Sequence, residues 1–240
     1  MKKTLIYLLL LSSTTTFAQR GVEINSIPGN SGISSRVNNL LSDELNTILN
    51  SRTSTKSDSE IEGSIFYDKE YRTAKIAGVA EIWPVRYDAY RDEMEVKKNG
   101  EVFALKKEDP FNEITFIEKN TKVILTEYDL EKKKEKGYLY EVMSTPTYAL
   151  YKKQQIIFKK GKEPKTTLEI ATPNRFIAAS PIYFIKKSEN NEYIAVDKKA
   201  KNILANAPEK KSEINKCLKE SKLDLEQEFT VRNFVQCIMN

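Results

Sequence analysis

The sequence predicts an α+β protein: an antiparallel β-meander, built as a sandwich or a partly open barrel, with an N-terminal amphipathic helix and a C-terminal helical cap. Three observations carry this. Apolar and polar residues alternate with period two from Ile61 to Asp197, in short β-branched and aromatic runs separated by turn formers. Helical spacing appears before that region, at Val37, Leu40, Leu41, Leu45, Ile48 and Leu49, and returns after it. The turns follow one another too closely for alternating strand–helix–strand units. The expected organisation is residues 1–18, 19–60, 61–197 and 198–240.

Residues 1–18 read as a secretory signal peptide. Lys2 and Lys3 precede an apolar run from Leu5 to Leu11 that is too short to span a bilayer, and Thr16 and Ala18 are small residues placed for cleavage before Gln19. The chain is therefore expected to be periplasmic or secreted, with no transmembrane segment. In 19–60, Ser34 or Ser35 caps an expected helix over 35–50, and "SRTSTKSDSE" (51–60) reads as a flexible linker because it holds no apolar residue.

The strand candidates are "IEGSIFY", "KIAGVAEIW", "VRYDAY", "EMEVKK", "EVFALKK", "EITFIE", "KVILTEY", "YLYEVMS", "TYALYKK", "QIIFKK", "TLEIAT", "IYFIKK" and "EYIAVD". Asn99-Gly100 suits a two-residue type I′ turn, whose central positions both need positive φ. Across that turn Met94 and Val96 are expected to face the core, opposite either Val102 with Ala104 or Phe103 with Leu105, leaving the carboxylates and lysines to water. The lysine-dense stretches 131–137 and 159–165 read as solvated hairpin tips.

After Asp197, "KKAKNILANA" stops before Pro208, "EKKSEINKCLKES" puts Ile214, Cys217 and Leu218 on one stripe, and the last helix, capped by Asp224, groups Leu225, Phe229, Phe234, Val235 and Ile238. Export permits a disulfide between Cys217 and Cys237, the two cysteines of the chain. If the chain turns near Ser221–Leu223, antiparallel helices offset them by more than about 10 Å, against the roughly 4.4–6.8 Å a bridge requires. Two buried thiols are the expectation, and crossed helices are the geometry that would allow a bond.

Composition limits the chemistry. The chain has no histidine, which removes Ser-His-Asp and Cys-His catalysis and the usual histidine-containing zinc sites. Of 39 basic residues, Lys2 and Lys3 leave with the signal, so 37 face 34 acidic ones, a net +3 over 19–240. That weak, mixed charge points away from nucleic acid. No motif for a cofactor, a phosphate or a metal is found.

The densest polar-aromatic cluster is Tyr87, Asp88, Tyr90, Arg91, Asp92, Glu93 and Glu95. Asp92 and Glu93 adjoin on a strand and so point to opposite faces; an edge that discourages stacking explains the carboxylates better than catalysis. Candidate ligand-binding residues are Trp83, Arg86, Tyr87, Tyr90 and Arg175. Trp83 is there because an exposed indole stacks on sugars, although burial under a bend is the commoner use of a single tryptophan; Arg175 is there because prolines bracket its loop.

"GSIFYDKEYRTAKIAG" with "VRYDAYRDEMEV", and the tail "SEINKCLKESKLDLEQEFTVRNFVQCIMN", resemble a family of exported β-rich proteins of Gram-negative bacteria, over roughly residues 63–240. The chain departs from that pattern at Ile65-Phe66, where Pro-Tyr is expected, and at Asp88, where Asn is usual. The resemblance implies export and a shared fold, and brings no activity and no functional residues. The expected function is a non-enzymatic binding or structural protein of the cell envelope, a monomer or weak oligomer facing a protein or envelope component. A histidine-free, carboxylate-based glycan hydrolase and an assembly protein docking through helix 35–50 are the alternatives.

Overall fold

The computed structural model describes residues 48–51, 61–131, 133–164, 166, 170–189 and 192–239. All lie in one compact unit, Ser42–Asn240. The expected signal peptide, most of the expected N-terminal helix and the linker from 52 to 60 lie outside the described residues.

Thirteen strands are described: β1 Leu49–Ser51, β2 Arg72–Ile76, β3 Ile82–Asp88, β4 Glu93–Lys98, β5 Glu101–Leu105, β6 Glu113–Phe116, β7 Thr121–Leu130, β8 Lys133–Ser144, β9 Tyr148–Lys153, β10 Ile156–Lys159, β11 Arg175–Ala178, β12 Ile182–Lys187 and β13 Tyr193–Val196. Three helices follow, α1 Lys201–Asn206, α2 Lys211–Ser221 and α3 Glu228–Met239. Eleven strands form one open antiparallel sheet in the order β1-β5-β4-β3-β2-β6-β7-β8-β9-β12-β13, and β10 and β11 form a separate ribbon. The sheet is two meanders, β2 to β5 and β6 to β9, joined where β2 pairs with β6.

Period-two burial sorts the side chains. On one face, Val85, Met94, Val96, Phe103, Leu105, Ile114 and Val123 form a core that the ribbon covers with Ile156 and Phe176. Farther along the same face, Tyr148, Leu150, Tyr183 and Ile185 pack under the helices with Ile214, Val231, Phe234 and Val235. The opposite face of β7, β8, β9, β12 and β13 buries Tyr128, Leu139, Tyr151, Phe184 and Tyr193 in a third cluster. These central strands therefore bury both faces, which explains runs such as "YALY" in which every residue is buried.

Asn99 and Gly100 take φ of 54° and 84°, the positive pair the type I′ turn requires. Val96 faces Phe103 in register, which selects Phe103 and Leu105 as the core pair. Several expectations are corrected. "KIAGVAEIW" is two strands, because Gly78 turns the chain at φ 74°. "IEGSIFY" forms no strand, only single bridges from Glu62 to Arg175 and from Phe66 to Asp88. "TLEIAT" lies largely outside the described residues.

Leu49 and Asn50, expected to end a helix, belong to β1. The outer edge of β5 is open there, and pairing Leu49 with Leu105 buries both. Asp88 and Glu95, expected in water, are buried, since each has a cation beside it. Phe229 is 62% exposed, because α3 begins at Glu228 and turns Val231, Phe234, Val235 and Ile238 inward instead.

Cys217 and Cys237 form a disulfide, their Cα atoms 5.7 Å apart, in place of two free thiols. The connection runs from 222 to 227, so α3 starts later than a turn at 221–223 implies and Cys237 falls nearer the level of Cys217. The bond closes a loop of sequence separation 20 between α2 and α3. Chain entropy assigns such a crosslink about 3 kcal/mol. Replacing both cysteines with alanine is expected to lower the urea-unfolding free energy by about that much, and reductant is expected to lower it equally in the native chain and not at all in the variant.

Candidate functional site

Two meanders that share one sheet need a fixed angle between them, and a side chain in the β3–β4 loop supplies the contact. Asp88 pairs with Glu93, so the loop is Ala89–Asp92. Asp88 Oδ1 accepts the N–H groups of Tyr90 and Arg91 at 3.0 and 2.9 Å, and Arg91 Nη1 lies 3.0 Å from Oδ2. This closes the loop locally, as an aspartate opening a turn does. Asp92 ends it at φ 56°, a left-handed conformation that aspartate tolerates better than most residues.

That conformation directs the Asp92 carboxylate at the second meander. Tyr87 Oη donates to Oδ1 at 2.6 Å, and Lys153 Nζ lies 3.0 Å from the same oxygen. Lys107 Nζ is 3.4 Å from Oδ2. Pairing of β8 with β9 ends at Tyr140 and Lys152, so Tyr138, paired with Leu125 of β7, has no neighbour on the β9 side; Asp92 Oδ1 accepts its N–H at 3.2 Å. Gly137 makes the room, since a Cβ there would stand 2.2 Å from Asp92 Oδ2. Lys153 is only 6% exposed and stands 5.5 Å from the Tyr128 ring centroid. Its contact with Asp92 is an ion pair without an aligned hydrogen bond, and Tyr138 Oη is buried without a hydrogen-bond partner among the described residues.

Beside this hub the sheet leaves a groove. β2 begins at Arg72 opposite Val85, so the end of β3 lacks that neighbour; Phe66 bridges back to Asp88, and residues 67–71 loop outward between. The resulting hollow, about 420 Å³, is lined by Tyr67, Tyr87, Phe116, Tyr140, Thr121 and Gln154, with charged groups at its edge. A second hollow of about 460 Å³ shares Tyr67, Lys152 and Gln154 with the first and adds Ser180, Tyr183, Glu226 and Glu228. Tyr67 stands between them, its Oη donating to the Ala179 carbonyl at 3.1 Å.

The charges around the groove are largely matched within the protein. Arg72 holds Asp68 at 3.0 Å and Glu118 at 2.9 Å. Arg86 Nε lies 2.6 Å from Glu95 Oε2, and its guanidinium stacks 3.7 Å from the Phe66 ring centroid and 4.4 Å from that of Tyr71. Tyr71 Oη donates to the same Glu95 oxygen at 3.0 Å. Lys152 Nζ lies 2.6 Å from Glu228 Oε2. A backbone hydrogen bond from Glu70, with Arg72, holds the Asp68 carboxyl below its ordinary value. Burial pushes Glu228 up, but Lys152 and Arg232 outweigh it and hold that carboxyl down.

Of the residues singled out from sequence, Arg86 and Tyr87 line the groove. Trp83 is buried in the core, its Nε1 donating to Glu81 at 2.8 Å. Tyr90 packs on Phe176 at 4.8 Å between centroids, and Arg175 begins β11, exposed. Tyr67, Tyr140, Gln154 and Lys152 were not singled out. Their positions come from three separate segments, Lys152 and Gln154 sharing the end of β9, and no spacing in the chain marks them. Among the described residues no group of three or more Cys, Asp and Glu side chains is placed to hold a metal ion. Comparison with protein families, with curated proteins and with solved structures finds no match.

Burial first, and then the charge of Asp92, push the phenols of Tyr87, Tyr128 and Tyr138 above their ordinary value of 10; burial, then Asp68, does the same for Tyr140. A folded value above the unfolded one gives stability that is complete below about pH 10 and is lost as pH rises through the folded values. A spectrophotometric alkaline titration is expected to show these tyrosines ionising only as the fold is lost. Smooth ionisation near pH 10 with the far-ultraviolet signal intact would contradict their burial. Glu228 has the opposite sign: its stabilisation is present above about pH 4.5 and is lost on acidification. Glu228→Gln is expected to cost under about 1 kcal/mol at neutral pH, since the group is partly exposed, with the cost shrinking as pH falls below the ordinary carboxylate value of 4.5.

Proposed function

We propose that this is an exported, non-enzymatic binding protein of the cell envelope, and that the groove through Tyr67 holds an extended polar polymer of the envelope, a glycan chain. The observation that carries this reading is the joining of two hollows by Tyr67, Lys152 and Gln154, with aromatic rings along the walls. Rings that cover sugar faces, beside amide and hydroxyl groups that hydrogen-bond sugar hydroxyls, are the chemistry of carbohydrate recognition. The signal-like N-terminus supports an envelope address.

The pairing of charges favours holding over hydrolysis. A glycan hydrolase needs one carboxyl raised into the neutral range and a second free to act as base or nucleophile. Here Asp68 and Glu118 are both engaged by one guanidinium, and Asp68 is held low. An assembly role for the N-terminal helix rests on residues outside the described ones and gains no support from the groove.

Calorimetric titration of the purified protein with soluble cell-wall glycan strands, stripped of peptide, is expected to show saturable binding. Tyr67→Ala and Gln154→Ala, at partly or fully solvent-facing positions, are each expected to weaken it by about tenfold, the worth of one stacking or hydrogen-bonding group. Absence of binding would sink the proposal, and release of reducing ends during the titration would replace it with the hydrolase reading.

A further inference from the structure

Lys153 is a buried cation that its ion pair does not fully satisfy. It is 6% exposed, and its Nζ makes no hydrogen bond among the described residues. Asp92 Oδ1 lies 3.0 Å away, but the approach is too oblique for one. An ammonium carries three N–H donors, and burying them unpaired is costly. An amide nitrogen in its place would carry one N–H and no charge.

The groups around the pair are arranged as a reaction would need them. Asp92 Oδ1 accepts Tyr87 Oη at 2.6 Å and the N–H of Tyr138 at 3.2 Å, so two fixed donors converge on one oxygen. That is the geometry that stabilises an oxyanion. The other oxygen, Oδ2, has Lys107 Nζ at 3.4 Å, an ammonium able to pass a proton. Lys107 is 33% exposed, so a water formed at Oδ2 has an exit. Gly137 lets nucleophile and carboxyl meet, since a Cβ there would stand 2.9 Å from Lys153 Nζ and closer still to Oδ2.

We propose that Lys153 and Asp92 condense to an isopeptide bond, an amide between Nζ and Cγ that locks the two meanders together. The ion pair is the reactant. Lys153 passes one proton to Oδ2, which leaves an amine beside a carboxylic acid. The nitrogen lone pair attacks Cγ, and the carbonyl electrons move to Oδ1, held by Tyr87 and Tyr138. As the carbonyl reforms, the Cγ–Oδ2 bond breaks. Oδ2 departs as water with a proton from Lys107, which recovers one from the new amide nitrogen. The sum is one ammonium and one carboxylate giving one amide and one water, with no co-reactant. Proximity replaces an activating group, as in other intramolecular acyl transfers. The neutral pair need be populated only briefly, because the bond forms once. Burial of Lys153 against the Tyr128 ring then keeps water from reversing it. The proposal stands independently of what the groove holds.

Denaturing mass spectrometry of the exported chain, with its disulfide reduced and its N-terminus read from the same sample, tests this. The mass is expected to fall about 18 Da, one water, below that of the unmodified sequence. Proteolysis is expected to yield a branched peptide joining the segment of Asp92 to that of Lys153. Lys153→Met is expected to restore the full mass and to abolish the branched peptide. A native chain at full mass would overturn the proposal without recourse to any variant. So would a loss of water with Asp92 and Lys153 recovered in separate peptides, or the same loss in Lys153→Met.

Discussion

The position of one carboxylate constrains the rest of the structure. Asp92 belongs to the first meander by sequence and to the second by contact, where it meets a backbone N–H of β8 and the ammonium of Lys153. Burying an ammonium is costly unless a charge offsets it, so Lys153 and Asp92 depend on each other. The low-dielectric surroundings strengthen that dependence, and Tyr87 adds a short hydrogen bond to the same oxygen. A sheet of eleven strands has many ways to twist; this contact selects one. It does so through a residue whose backbone is itself held in an uncommon conformation by the Asp88 loop.

The groove follows from the same constraint. Tyr87 is at once a ligand of Asp92 and part of the groove wall, so the hub and the wall cannot move separately. The short β2 leaves the opening, residues 67–71 cross above it, and Arg86 fixes that crossing by stacking on Phe66 and Tyr71 while pairing with Glu95. At the far end, Lys152 reaches Glu228 of α3, which ties the helical cap to the groove. The α2–α3 pair is in turn closed by the disulfide. Recognition surfaces held by packed strands and paired charges change little on binding, which suits a holder better than a machine that must close.

Sequence made the local architecture legible and the long-range chemistry illegible. Alternation located most strands, Asn99-Gly100 specified its turn, and the stripe through Ile214 and Cys217 placed a helix, because each depends on neighbours within a few residues. Arg86 and Tyr87 stood out for their local density of polar and aromatic groups. Gln154, Tyr140 and Tyr67 did not, since their meeting depends on sheet order. The burial of Asp88 and Glu95 was equally hidden: alternation marks which face a residue shares, and not whether a distant segment such as 66–71 will cover that face. Gly137 carried a faint signal, a glycine inside a strand, which often marks close approach by another group.

A double-mutant cycle on Asp92→Asn and Lys153→Met, followed by urea unfolding, tests the hub most directly. Asparagine keeps the left-handed backbone and methionine keeps the length of the lysine stem, so charge is the main quantity removed. If the pair holds the meanders together, Asp92→Asn leaves the buried Lys153 uncompensated and costs about 3 kcal/mol or more, Lys153→Met costs less because Lys107 and Tyr87 still hold Asp92, and the double change recovers at least about 1.5 kcal/mol of the sum. Additivity within about 0.5 kcal/mol would mean that Asp92 and Lys153 do not act on each other, and the hub would have no part in setting the fold.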